Sequence, residues 1–186
     1  MSLKYTMLSV DGGGIRGIIP ARILQEIEMR SGKPISELFH FACGTSTGGI
    51  IVLGSAVYKN GAPKFYAKDM VDLYMNYGDD IFDRDSLGIL FAKYDRKNLD
   101  IILDHYFDDM MLSESAYPVS VVTYSLDSQI PKIWSSLDAR IDASQDAKIK
   151  DVAGATSAAP TYFSPKEFYD DAGGLHHEVD GGIFLN

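Results

Sequence analysis

Two spacings of apolar residues alternate along the chain. Residues 5–10 form a short apolar run closed by a glycine cluster, which predicts a buried strand. Residues 18–30 place Ile19, Ile23, Leu24 and Ile27 at helical intervals, ended by Ser31 and Gly32. A second apolar run, 38–43, stops at Gly44, and the stretch 49–58 reads as a buried helix. Further helices are predicted over 63–77, with Tyr66, Met70, Leu73 and Tyr77 on one side, and around Leu99, Ile102, Leu103 and Tyr106. A loop with Asp79, Asp80, Asp83 and Asp85 lies between them. Residues 118–124 and 130–135 are rich in Val and Ile and lack helix caps, so both read as strands. Residues 149–159 predict a small-residue helix stopped by Pro160, and 177–179 a last strand running into Asp180. Strands alternating with helices predict an α/β layered domain, with helices on both faces of a mainly parallel sheet.

The size, 186 residues, suits one domain, and no repeat, low-complexity tract or Pro/Ser linker marks a boundary. Acidic residues outnumber basic ones by 26 to 17, a formal charge of −9, which argues against a nucleic-acid partner. No Lys/Arg cluster is present to dock on an anionic membrane, so contact with lipid has to be mainly hydrophobic and transient. Cys43 is the single cysteine, which rules out an intrachain disulfide. The opening MSLKYTMLSV lacks the pattern of a secretory signal, and no apolar stretch is long enough to span a bilayer. The expected location is cytoplasmic or peripheral at membranes.

Three loops carry the candidate chemistry. Gly44-Thr45-Ser46-Thr47-Gly48 is a G-x-S-x-G between a predicted strand and a predicted helix, the setting of a nucleophile elbow. Asp11-Gly12-Gly13-Gly14-Ile15-Arg16-Gly17 also joins strand to helix. Gly12, Gly14 and Gly17 satisfy G-x-G-x-x-G, but a dinucleotide site wants an acidic residue at the end of the second strand, where this chain delivers Ser46. Unhindered backbone N–H groups that bind an oxyanion or phosphate are the better use of these glycines, with Arg16 as a nearby cation or a plain surface residue. The third loop is Asp180-Gly181-Gly182, which on its own is a common turn.

A serine needs a base, and the histidines are His40, His105, His176 and His177. None follows Asp180, so the order Ser, acid, His cannot be completed with Asp180 as the acid. A pair of Ser46 and Asp180 remains. His176, four residues before Asp180, falls on the same face of an extended strand, and His177 on the other.

The motifs DGGGIRG, GTSTGG and DGG, in this order, resemble those of the patatin-like phospholipases, a family of lipid acyl hydrolases. ATSAAPTYF at 155–163 and Lys93-Tyr94-Asp95 look like further stretches of the same family, so the resemblance covers nearly the whole chain. It implies a three-layer α/β/α sandwich, Ser46 as nucleophile, Asp180 as base, Gly12, Gly13 and Gly14 with Arg16 as the oxyanion hole, and neither cofactor nor metal. Gly17, Gly44, Gly48, Gly181 and Gly182 belong to the same motifs. It also implies a lipid or phospholipid substrate, and a chain that continues past Asn186, so a single domain over 1–186 truncated at its C-terminal end is expected. An acyltransferase with the same acyl-serine chemistry, or a catalytically silent binding module, are the alternatives. The aspartates at 79, 80, 83 and 85 lack the glycine and terminal glutamate of an EF-hand loop and read as a solvated turn rather than a calcium site.

Overall fold

The computed structural model describes residues 4–82 and 96–186. In chain order the elements are β1 (Met7–Val10), α1 (Ile18–Ser31), α2 (Ile35–Leu38), β2 (Phe41–Thr45), α3 (Thr47–Ala56), β3 (Tyr58–Lys59), β4 (Ala62–Pro63), α4 (Ala67–Phe82), α5 (Arg96–Phe107), β5 (Val119–Ser125), β6 (Ile130–Ser135), α6 (Ser136–Ala139), α7 (Ile149–Thr156), β7 (Lys166–Tyr169) and β8 (Leu175–Asp180). The aspartates at 83 and 85, and residues 93–95, lie outside the described residues.

Six strands form one mixed sheet. β1 pairs in parallel with β2 and β2 with β5, whereas β6 and β8 run antiparallel to β5, and β7 antiparallel to β8. Four strands, β1, β2, β5 and β7, therefore point the same way, and the sheet is mainly parallel in direction. The pairing along β5 decides where the chemistry sits. β6 runs beside β5 from Ser120 to Ser125 and takes one edge. The other edge is shared: β2 pairs with residues 119–122 and β8 with residues 123–125. Thr45 lies opposite Val122 and Asp180 opposite Thr123, so β2 and β8 approach from opposite directions and end tip to tip.

Helices flank the sheet on both sides, unequally. α3 and α7 pack on the face that carries Ala42 and Val121, and Trp134, fully buried, closes the core on that side. On the opposite face Met7 and Ile133 remain 68% and 54% exposed. The predicted buried strand at the start of the chain is thus half open.

Several expectations shift in register. Residues 35–38 form a helical turn after Pro34, so β2 starts at Phe41 rather than Leu38. Pro63 belongs to a two-residue strand and α4 starts at Ala67, leaving Tyr66 exposed. α7 ends at Thr156, before Pro160 has any part in stopping it. β7 has no apolar run to announce it, since Phe168 is its one buried side chain. The isoleucine row of α1 faces outward: Gly17, Ala21 and Leu24 take the inner side, and Ile19 and Ile23 are 59% and 58% exposed. Gly32, at φ 67, caps this helix in the left-handed conformation, its N–H bonded to Glu28 O, as the Ser31-Gly32 stop predicts.

α3 begins almost in contact with the end of β1. A β-carbon on Gly48 would stand 2.0 Å from Val10 O and 2.6 Å from Val10 C, and one on Gly44 would stand 2.5 Å from the Gly48 carbonyl. These neighbours are backbone and cannot swing aside. Gly48→Ala is therefore expected to lower stability by about 4 kcal/mol or more. Thermal unfolding followed by circular dichroism checks this, and a Tm within a degree or two of wild type would contradict the close approach.

Candidate active site

Ser46 occupies the turn between β2 and α3 at φ 55, ψ −128, a conformation that non-glycine residues rarely adopt. Such backbone costs about 1–3 kcal/mol and persists only where its surroundings hold it. Here the Ser46 N–H donates to Thr156 Oγ1 at 2.8 Å, and the Ser46 carbonyl accepts from Ile50 N at 3.1 Å in the first turn of α3. The sharp turn lifts the side chain out of the sheet at the helix N-terminus. This is a sharp strand-to-helix turn at the position where the G-x-S-x-G spacing leads one to expect it.

Because β2 and β8 end tip to tip, Asp180 arrives beside Ser46. Its carboxyl is 5% exposed as a residue, and burial pushes it above the ordinary carboxylate range. A hydrogen bond with the Ser46 hydroxyl, and one from Gly182 N at 2.8 Å to Oδ1, oppose that shift. The backbone N–H of Asp180 donates to Ala158 O at 3.0 Å. Gly181 is required at its place, since a β-carbon there would lie 2.5 Å from Val122 O.

The glycine loop closes on the same point. A β-carbon on Gly12 would stand 2.8 Å from Ser46 Cβ, so this backbone lies directly on the serine. Gly14 takes φ 57. The carbonyl of Gly13 accepts from both the backbone N and the Nε of Arg16, each at 3.2 Å. In a trans peptide the C=O and N–H point in opposite directions, so this fixes the Gly14 N–H away from Arg16. The N–H of Gly12 is taken: it donates to Asn186 Oδ1 at 2.6 Å. Of the three glycines expected to form an oxyanion hole, Gly12 thus has its N–H occupied. Arg16 acts on the loop through Gly13 and is otherwise exposed. Gly17 makes room for Tyr74 and Thr47, whose hydroxyls meet there; burial pushes the Tyr74 phenol upward.

Ser46, Asp180 and the glycine loop share a cavity of about 800 Å³. Its far wall is apolar: Ile50 from α3, Leu73 from α4, and Leu99, Ile102 and Leu103 from α5. Tyr162 and Ile183 line it while partly exposed. The volume falls in the range that small-molecule sites occupy.

No histidine among the described residues approaches Ser46. His40 bonds to Thr6 beside the start of β2, and His105 stacks edge-on against Tyr106 on α5. His176 shares a face of β8 with Asp180, as alternation predicts, but its Nε2 bonds Asp170 Oδ2 at 2.8 Å and its ring packs on Trp134. His177 turns the other way, to Asp127 and Glu167. Sequence reasoning assigned no role to Thr156 or Asn186. Thr156 sits in ATSAAPTYF, which offered a resemblance but no chemistry, and nothing in the pattern around Asn186 marks its side chain.

A family model described as patatin-like phospholipase matches residues 8–186. Patatin-like protein 2 of Arabidopsis thaliana is 34% identical over 97% of this chain and 50% of its own length. Probable inactive patatin-3-Kuras 1 of Solanum tuberosum is 32% identical over 88% of this chain and 46% of its own. The chain thus spans about half the length of these relatives. Among solved structures, VipD from Legionella pneumophila superposes with a TM-score of 0.65 at 13% identity, over 98% of this chain and 46% of VipD. That likeness shows the fold.

The environment of Asp180 has a consequence for stability. A carboxyl whose pKa is higher in the folded state than in the unfolded one favours folding when protonated, and that advantage is lost as pH rises through the folded value. Ionising the buried Asp180 therefore weighs against the fold. Asp180→Asn, nearly isosteric and still able to accept from Gly182 N, is expected to raise Tm by about 2–4 °C at pH 7. The gain should vanish near pH 4 and below. An equal loss of Tm at both pH values would contradict this burial.

Proposed function

Since the chain belongs to the patatin-like phospholipase family, we propose that it is a lipid acyl hydrolase, with Ser46 as nucleophile and Asp180 as base. The observation that carries the proposal is the meeting of three separate loops around one serine, at the mouth of a cavity with an apolar wall. The matched region, built round one core, is assigned the activity as one catalytic domain.

Asp180 takes the hydroxyl proton as Ser46 Oγ attacks the carbonyl carbon of a fatty-acyl ester. The tetrahedral oxygen turns toward the Gly13 and Gly14 amides, assisted by the N-terminus of α3. The C–O bond to the leaving alcohol breaks, and that alcohol carries away the proton held by Asp180. Water then attacks the acyl-serine, passing a proton to Asp180, which returns it to Ser46 as the fatty acid leaves. General-base assistance is worth about 10²–10⁴-fold, and each oxyanion donor about 10²–10³-fold. The apolar wall supports an acyl chain as the occupant of the cavity. Phospholipid is the proposed substrate class, reached from the surface of a membrane or micelle; no described helix is long and apolar enough to cross a bilayer.

Ser46→Ala is expected to remove at least about 10³-fold of the hydrolysis of a short-chain nitrophenyl ester and of fatty-acid release from phospholipid, with the fold retained. Asp180→Asn should lose about 10²–10⁴-fold. The double variant His176→Gln, His177→Gln should stay within about tenfold of wild type, through altered packing alone. A dead histidine variant beside an active Asp180→Asn would replace the proposed pair by a serine–histidine mechanism. Product analysis in the presence of added alcohol separates hydrolase from acyltransferase, and fluorophosphonate labelling of Ser46 separates either from a silent binding module.

A further inference from the structure

ATSAAPTYF at 155–163 has no part in the chemistry above, yet it touches both residues proposed to perform it. Thr156, the last residue of α7, is fully buried and does not line the cavity. Its hydroxyl donates to Val122 O at 2.7 Å. A carbonyl accepts only, so the hydroxyl proton is committed to β5 and a lone pair is left to accept the Ser46 N–H at 2.8 Å. Two residues on, Ala158 O accepts the Asp180 N–H at 3.0 Å. One short segment therefore grips the backbone of both residues, and Thr156 ties the strained Ser46 turn to the strand edge that Asp180 also joins.

We propose that Thr156 is a positioning residue, whose hydroxyl bridges Ser46 N–H to Val122 C=O and so sets the Ser46 side chain against Asp180. The inference rests on the acyl-hydrolase reading of the site. Without the bridge, the Ser46 N–H and the Val122 carbonyl would both seek other partners, and the Ser46 backbone would lose its one side-chain partner among the bonds described. The bridge also commits the Ser46 N–H, which removes it from the groups free to face an oxyanion. A misplacement of about 1 Å between reacting groups can cost on the order of 10²-fold in rate.

Thr156→Val replaces the hydroxyl by a methyl at nearly constant volume and preserves the methyl contact that Thr156 makes with Gly49. Thr156→Ser keeps the hydroxyl and removes that methyl. On a short-chain nitrophenyl ester, Thr156→Val is expected to lower kcat by about 10–100-fold with KM within about threefold, and to slow fluorophosphonate inactivation in parallel. Thr156→Ser should stay within about threefold of wild type in kcat, although it loses a buried methyl. Leu112→Ala, a core truncation away from the cavity, is the control for instability: a lower Tm with kcat per folded molecule unchanged. Should Thr156→Val fail to fold, Thr156→Ala carries the same comparison. A wild-type kcat in Thr156→Val, or equal impairment of Thr156→Val and Thr156→Ser, overturns the inference while active wild type and inert Ser46→Ala leave the hydrolase reading standing. An inactive wild-type protein overturns that reading, and the inference with it.

Discussion

One peptide of the central strand holds the site together. At Val122 and Thr123, the edge of β5 passes from β2 to β8, and both strands end there. The Val122 carbonyl takes the Thr156 hydroxyl and lies against Gly181. Thr45, just before the candidate nucleophile, pairs with Val122, and Asp180 pairs with Thr123. Two residues 134 positions apart become neighbours because two strands of opposite direction occupy successive halves of one edge. The two strand ends face each other, and the site forms at their tips.

The glycines follow from this crowding. Gly44 and Gly48 let β2, α3 and the end of β1 converge without side chains, Gly12 lets its loop lie on the Ser46 β-carbon, and Gly181 lets the turn after β8 pass Val122. They were visible in the sequence as motifs, and their loops could be placed because each follows an apolar run and precedes helical spacing or a turn. The serine elbow and the strand leading into Asp180 were legible on those grounds. Their mutual distance was not, since it depends on β5 sharing an edge, a pairing that no local pattern encodes. The β7–β8 hairpin escaped for a related reason: β7 buries only Phe168 and carries no run of apolar residues.

The helical spacing over α1 did not by itself tell which row of the helix is buried. The isoleucines repeat every fourth residue, but the small residues Gly17 and Ala21 are what let the helix approach α4, and the bulkier row turns outward. Within the site, Asn186 Oδ1 sits on the amide of Gly12, one of the three glycines expected to form the oxyanion hole. Arg16, placed beside the oxyanion hole by the resemblance, works on the loop backbone through the Gly13 carbonyl. Side-chain to backbone bonds that span more than a hundred residues, such as these of Thr156 and Asn186, leave no periodic trace in a sequence.

On the proposed reading, the convergence at Val122 makes Ser46 a nucleophile, with Asp180 as base and Gly13 and Gly14 as oxyanion donors. A crystal structure of the protein after reaction with an alkyl fluorophosphonate tests it most directly. The expected adduct has phosphorus bonded to Ser46 Oγ, the phosphoryl oxygen within hydrogen-bonding distance of the Gly13 or Gly14 amide, and the alkyl chain along Ile50, Leu73 and Leu103. Asp180 should lie beside Ser46 Oγ with no histidine in contact. An adduct on another residue, or a phosphoryl oxygen turned away from the glycine loop, would contradict it.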